Sequence, residues 1–128
     1  MNVKGQKVSS DWHLYRRGFG PPDKRFLNPD GTATSRAFKL RDKDQGKLSV
    51  DVKEMTTAAN AIIDPTKFVL FEVPVVAVEK IGLSTVHDPL SVVNDGIEND
   101  AHASILGLDD DDEIKPGLLA RASRRIAV

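Results

Sequence analysis

Along the chain, apolar and polar residues alternate in short runs, and most of these runs end in turn-forming residues. Alternation of this kind marks a strand with one wet face, because successive side chains point to opposite sides of a pleated sheet. Asp11 to Phe19, DWHLYRRGF, is the first such run, with Trp12, Leu14 and Arg16 on one face and His13 and Tyr15 on the other. Gly20-Pro21-Pro22 stops it, since proline brings no backbone donor to a ladder. PPDKRFLNPDGTATS then reads as a long surface loop built around an Asn28-Pro29-Asp30-Gly31 turn. The segments RAFKL (36–40) and KLSVDV (47–52) alternate again and, joined by RDKDQG, predict a hairpin.

Further on, Thr56 or Thr57 suits the N-cap of a short helix, TTAANAII, which Pro65 ends. FVLFEVPV (68–75) is apolar almost throughout, which predicts a central strand buried on both faces and ended or bulged at Pro74. Val76 to Ile81 predicts a helical turn closed by Gly82, and Ser84 to His87 a short strand ended by Asp88-Pro89. Residues 91–100 read as a polar loop, and HASILGL (102–108) as the last strand. In the C-terminal KPGLLARASRRIAV, Leu118, Ala122 and Ile126 recur at helical spacing beside Leu119, the mark of an amphipathic helix. The acids of DDDDE (109–113) precede its N-terminus and Arg121, Arg124 and Arg125 lie toward its C-terminus, both favourable to the helix dipole. The expected fold class is α+β: one small domain over residues 11–128, behind a flexible leader at 1–10. Its core is expected to be a twisted, mostly antiparallel sheet of about five or six short strands, with one short helix and a C-terminal amphipathic helix.

Composition narrows the classes. A chain of 128 residues suits one modest core. No run approaches the roughly 18 apolar residues of a membrane span, and MNVKGQKVSSDWH lacks the apolar stretch of a secretory signal. A cytoplasmic protein without membrane partners is therefore expected. With no cysteine, disulfides and thiolate metal sites are excluded. The net charge of -1 conceals an asymmetry: residues 1–48 hold eleven Lys or Arg against five Asp, and residues 85–115 hold nine acids against Lys115 alone. Opposed lobes of this kind either meet inside the fold or face partners of opposite sign.

Candidate chemistry centres on the three histidines, each near an aspartate: Asp11-x-His13, His87-Asp88 and Asp100-x-His102. A neighbouring carboxylate raises and orients an imidazole, as a base or ligand requires. No HExxH or HxH spacing places two ligands on one element, so no metal is expected. Asp42-x-Asp44 has the start of a calcium loop but neither its glycine nor its final glutamate. Ser49 and Ser104 fall on strands without a GxSxG elbow, and Gly18-x-Gly20 runs into prolines rather than a phosphate-binding helix. Arg16, Arg17, Lys24, Arg25, Arg36, Lys39 and Arg41 alternate with Trp12, Tyr15, Phe19, Phe26 and Phe38, the mixture that a stacking groove for nucleic acid uses.

Taken together, HLYRRGF, TSRAFKLRDKDQGKLSVD, VVAVEKIGLSTVHDPL and NDAHASILG resemble a family of small uncharacterised bacterial proteins over most of residues 13–107. A looser similarity is to the RES and ADP-ribosyltransferase-like NAD-processing domains, where an early strand ending in arginine precedes a serine-bearing strand that runs into a helix. Arg16 after Leu14-Tyr15 matches the first element, and Leu48-Ser49-Val50 before TTAANAII matches the second. The resemblance implies that Arg16 holds a phosphate of NAD. The chain departs from that pattern in having no GGRW-type segment and no late glutamate at the matching place.

Three functions follow as expectations. The first is an accessory module that docks a protein partner through a basic N-terminal and an acidic C-terminal face, with no cofactor. The second is an NAD-processing enzyme whose catalytic groups Arg16, Ser49, His87 and His102 gather at neighbouring strand ends, with His13, Tyr15, Arg17, Arg36, Asp88 and Asp100 as binding residues. NAD is the cofactor only on this reading. The third is a nucleic-acid platform on the basic face. His102 itself is expected to open a strand, its ring satisfied by Asp100 or by a backbone carbonyl.

Overall fold

The computed structural model describes residues 4–41 and 45–128. Its strands are β1 (His13–Phe19), β2 (Lys47–Val52), β3 (Phe68–Pro74), β4 (Ser84–His87), β5 (His102–Leu106) and β6 (Arg124–Ile126). Its α-helices are α1 (Ala58–Ile62), α2 (Val75–Lys80), α3 (Val92–Asp95) and α4 (Ile114–Ala122). The strands form one open sheet ordered β4-β5-β2-β1-β3-β6, and every neighbouring pair is antiparallel. The fold is therefore α+β.

Strand periodicity divides the sheet into two unlike faces. Leu14, Leu48, Val50, Val52, Val69, Phe71, Val73, Ala103 and Ile105 point to one side and make the main core. Phe38, Val75, Val78, Leu119 and Ala120, from a 3-10 turn, α2 and α4, seal that side. The opposite face has a much smaller apolar cluster, Tyr15, Leu70, Ala61 and Ile62, where α1 lies over β1 and β3. Thr57 caps α1 by accepting a hydrogen bond from the Asn60 amide at 3.1 Å, as its place in the sequence suggests. Because α1 is only five residues long, it leaves the β2–β5 part of this second face open.

FVLFEVP forms the expected interior strand, since β3 is paired on both sides and Val69 to Val73 are all buried. The predicted hairpin of 36–40 with 47–52 does not form. Ser35–Phe38 is a 3-10 turn, because Ala37 and Phe38 are adjacent in sequence and both enter the core, where a strand would turn one of them outward. β2 pairs instead with β1 and β5. Asp42 and Asp44, the calcium-like spacing, lie outside the described residues.

The C-terminus also differs from its helical pattern. α4 ends at Ala122, and Arg124–Ile126 become an edge strand on β3, so β5 is not the last strand. The helix buries Pro116, Leu119 and Ala120, whereas Leu118 is exposed and Ile126 packs with the Leu70 cluster. The open edge of β3 offers hydrogen bonds to the chain, and the Arg124 guanidinium reaches Glu72 at 3.5 Å; both compete with further helix. Of the DDDDE acids, Asp112 caps α4, its Oδ1 accepting from the Ile114 and Lys115 amides at 2.9 and 3.0 Å. Residues 5–8, expected as loose leader, instead run beside β4: Gly5 N–H donates to His87 O, His87 N–H to Gln6 O and Val8 N–H to Thr85 O. Val8 is buried in the main core.

Phe71 stands at the middle of β3, fully buried, with the Phe38 ring 6.3 Å away. Phe71→Ala is expected to cost about 3–5 kcal/mol of stability, measured by urea unfolding.

Candidate functional site

A departure from regular pairing creates the site. β1 matches β3 at seven positions along its whole length but matches β2 only at Leu14↔Val52 and Tyr15↔Asp51. Beyond Tyr15 the two strands part, and the Arg16 side chain occupies the gap. Its Nε donates to the Ala37 carbonyl at 2.9 Å and its Nη1 to the Ser49 carbonyl at 2.8 Å. The guanidinium thereby satisfies the Ser49 acceptor that the missing ladder leaves open and one acceptor of the 3-10 turn. Gly18 lets the loop after β1 close in, because a Cβ there would meet Phe26 at 3.3 Å.

The parted strands, that loop, α1 and the segment before β5 enclose an open cleft of about 760 Å³. Its walls carry Arg16, Arg17, Arg25, Arg36, Lys39 and Arg41, and among its described lining residues Asp51 is the only acid. Four rings, Tyr15, Phe19, Phe26 and Phe68, line it as well. Phe19 lies between Phe26 and Phe68, with centroids 6.0 and 5.2 Å away. Arg17 sits over Phe68 and donates to the Ala61 carbonyl at 2.8 Å, which ties α1 to β1. Arg25 sits over Phe26 and forks onto Asp23, with an Nη2–Oδ2 distance of 2.6 Å. Those hydrogen bonds hold the Asp23 carboxyl below its ordinary range.

Tyr15, Asp51 and His102 form a row across three strands, each directly opposite the next. Directly opposed residues of antiparallel strands have Cβ atoms about 5 Å apart, so their side chains are neighbours. The Asp51 Oδ1 accepts from the Asn99 side-chain amide at 2.8 Å. His102 Nδ1 lies 2.7 Å from the Asp88 carbonyl oxygen. A carbonyl only accepts, so in the neutral ring Nδ1 carries the proton and Nε2 keeps its lone pair. His102 is thus satisfied by a backbone carbonyl, one of its two expected partners, and Asp100 sits in an exposed turn.

The expected site is only partly assembled. Arg16, Ser49 and His102, together with Tyr15, Arg17 and Arg36, line the one cleft. His87 does not join them. It pairs opposite Ala103, so it points to the other face of the sheet from His102, into the core and edge-on to Trp12 at 6.2 Å. His13 is also elsewhere: its ring Nδ1 lies 3.2 Å from Glu54 Oε2 and its amide donates to Oε1 at 3.0 Å, so Glu54 rather than Asp11 is its partner. Asp88 works beside the cleft wall, accepting from the Ser104 hydroxyl at 2.9 Å and facing Lys4 at 3.4 Å. Partial burial pushes its carboxyl up, but that hydroxyl and the lysine charges outweigh it and the net shift is downward. Among the described residues no group of three or more His, Asp or Glu side chains could hold a metal ion.

Asp51, Asn99, Ile63 and Phe68 were not singled out by the sequence reading. Period-two spacing within β2 carries the signal for Asp51, which shares the face of Ser49. Ile63 has no such signal. It stands at the cleft rim with φ +67°, in a tight turn closed by Asp64 N–H donating to Ile62 O at 2.7 Å. This is the classic γ-turn geometry, costly for a β-branched residue. Comparison of the chain with protein families, with curated proteins and with solved structures finds no match.

Two outcomes follow. Burial holds the His87 imidazole below its ordinary pKa, and among the described residues its Nδ1 has no hydrogen-bond partner. A depressed folded-state pKa means that the unfolded chain binds the proton first, so stability falls as pH drops below about 6.5. Replacing His87 with Gln should flatten that part of a stability-against-pH curve measured by urea unfolding. Ile63→Gly, at a side chain that is 66% exposed, relieves the strained φ and should raise stability by roughly 1 kcal/mol in the same assay.

Proposed function

We propose that the cleft binds a phosphorylated nucleotide, with NAD-type dinucleotides as its ligand class. The observation that carries this reading is the convergence of six cationic side chains and four aromatic rings on a single concavity. Its volume of about 760 Å³ lies in the range of small-molecule sites. Guanidinium groups recognise phosphate oxygens through paired donors, and flat rings offer stacking surface to a base. The resemblance to NAD-processing domains expected from the sequence would place the ligand in the same class, with one change of role. Arg16 spends two donors on the Ala37 and Ser49 carbonyls and so shapes the cleft as well as charging it. Arg36, exposed on the 3-10 turn, then becomes the principal phosphate contact, and Arg41 adds charge to the same wall. Ser49 and the lone-pair Nε2 of His102 are the polar groups beside the ligand that are available for chemistry.

A protein-docking role is the second reading. Val92, Val93 and Ile97 are 62%, 94% and 60% exposed on the segment that borders the cleft, an apolar patch that suits a partner. The charged lobes give it less support, because Lys39 meets Glu113 at 2.7 Å and Lys4 meets Asp88, so part of the opposed charge is neutralised within the chain.

Calorimetry with NAD and with ADP-ribose should show binding. The Arg36→Ala/Arg41→Ala double variant should weaken it by roughly 10- to 100-fold, the scale of lost charge-assisted hydrogen bonds. Absence of heat with both ligands defeats the nucleotide reading. In that event, a single-stranded oligonucleotide that shifts with steep salt dependence would identify a strand-binding groove. A partner captured by the wild type but lost on Val92→Ser/Val93→Ser would identify docking.

A further inference from the structure

We propose that Asp51 is the specificity-determining residue of the cleft, receiving the vicinal hydroxyls of a ribose while the cations hold the phosphates; this rests on the nucleotide reading above. A cleft that gathers Arg16, Arg17, Arg25, Arg36, Lys39 and Arg41 attracts anions, yet among its described lining residues it keeps one carboxylate. The known partner of that carboxylate is neutral, the Asn99 amide on Oδ1 at 2.8 Å. A phosphate placed against it would be repelled. An ionised carboxylate only accepts hydrogen bonds, so the ligand atom that suits Asp51 must bring an O–H or N–H.

Its neighbour narrows the choice. His102 lies directly opposite Asp51 on β5, with Nδ1–H committed to the Asp88 carbonyl and Nε2 therefore an acceptor in the neutral ring. A carboxylate oxygen and an imidazole nitrogen on adjacent strands offer two neighbouring acceptors, which match two adjacent hydroxyl donors. Tyr15, on the other side of Asp51 in the same row, adds a phenol that can donate or accept. The cations come from β1 and residues 25–41, whereas Asp51, Asn99 and His102 come from β2, β5 and the segment before it. A ligand with phosphates at one end of its sugar and a free diol on the sugar itself meets both sets of groups. A nucleoside diphosphate has this chemistry. A 2′,3′-dideoxynucleotide lacks half of it.

The test is calorimetry of the wild type and Asp51→Ala with three probes: inorganic pyrophosphate, ADP and 2′,3′-dideoxy-ADP. The wild type is expected to bind ADP about tenfold or more tightly over its dideoxy analogue, the scale of lost hydrogen bonds to a charged acceptor. In Asp51→Ala that preference should collapse to about twofold or less, with pyrophosphate bound as well as or better than before because a negative charge has gone. Should Asp51→Ala lose pyrophosphate, the comparison passes to Asp51→Asn, which keeps the shape but not the charge and should still lose at least about threefold of the preference. Equal binding of the two nucleotides by the wild type, or an undiminished preference in the variant that retains pyrophosphate, overturns the role of Asp51 alone. No binding of any of the three probes removes the nucleotide reading and this inference together.

Discussion

The Arg16 guanidinium donates to the carbonyls of Ala37 and Ser49 where β1 and β2 have parted, and the remaining features of the candidate site depend on that bridge. A sheet that loses a ladder exposes backbone acceptors, and each buried one without a partner costs on the order of 1–3 kcal/mol. One planar side chain with several donors meets one of them, at Ser49, together with the Ala37 carbonyl of the turn. It fixes the spacing of β1 and β2 and anchors the turn at 35–38 to the same gap. Lysine has three donors on one point and lacks the span of this fork. The opening between the strands is thus a built feature of the sheet, with β1 fully paired to β3 behind it.

Around that opening, charge and apolar surface are divided by element. The basic residues come from β1 and the loop and turn that follow it, which cross the end of the gap because Gly18 lets Phe26 approach. Asp51, Asn99 and His102 come from β2, β5 and the segment before β5, where the Asn99 amide donates to Asp51 and the His102 ring to the Asp88 carbonyl. Several cations are already engaged: Arg17 with a helix carbonyl, Arg25 with Asp23 and Lys39 with Glu113. These contacts restrict the side chains before any ligand arrives, which lowers the ordering cost of binding. The Lys39–Glu113 pair also shows how an acidic segment late in the chain balances a basic one early in it.

The three histidines illustrate how sheet geometry sorts groups of one kind. His87 and His102 lie on adjacent strands, but the pairing of His87 with Ala103 offsets them by one residue. A one-residue offset in a strand sends a side chain to the opposite face. One imidazole is therefore sealed against Trp12 and the other lines the cleft. His13 shares a strand with Tyr15 yet is taken up by Glu54 at the far end. Their nearby aspartates in sequence did not identify their partners, because Asp11 and Asp100 lie in turns ahead of β1 and β5, and Asp88 follows β4 and gives its carbonyl to His102 rather than to His87.

Local pattern determined much of this protein. Alternation marks β1 and β2, the unbroken apolar run marks β3 as interior, Thr57 caps α1, and the lack of cysteine excludes disulfides, all from residues within a few positions of one another. Even the makeup of the basic wall was legible, since Arg16, Arg17, Arg36 and Tyr15 fall within one early stretch. Tertiary structure alone decided the rest. The chain at 36–40 turned because two adjacent apolar residues both found the core, and Arg124–Ile126 became a strand because β3 had an open edge. The meeting of Asp51 with His102, and the exclusion of His87, depend on strand order and register, which are set by long-range pairing energies that no local stretch of sequence contains.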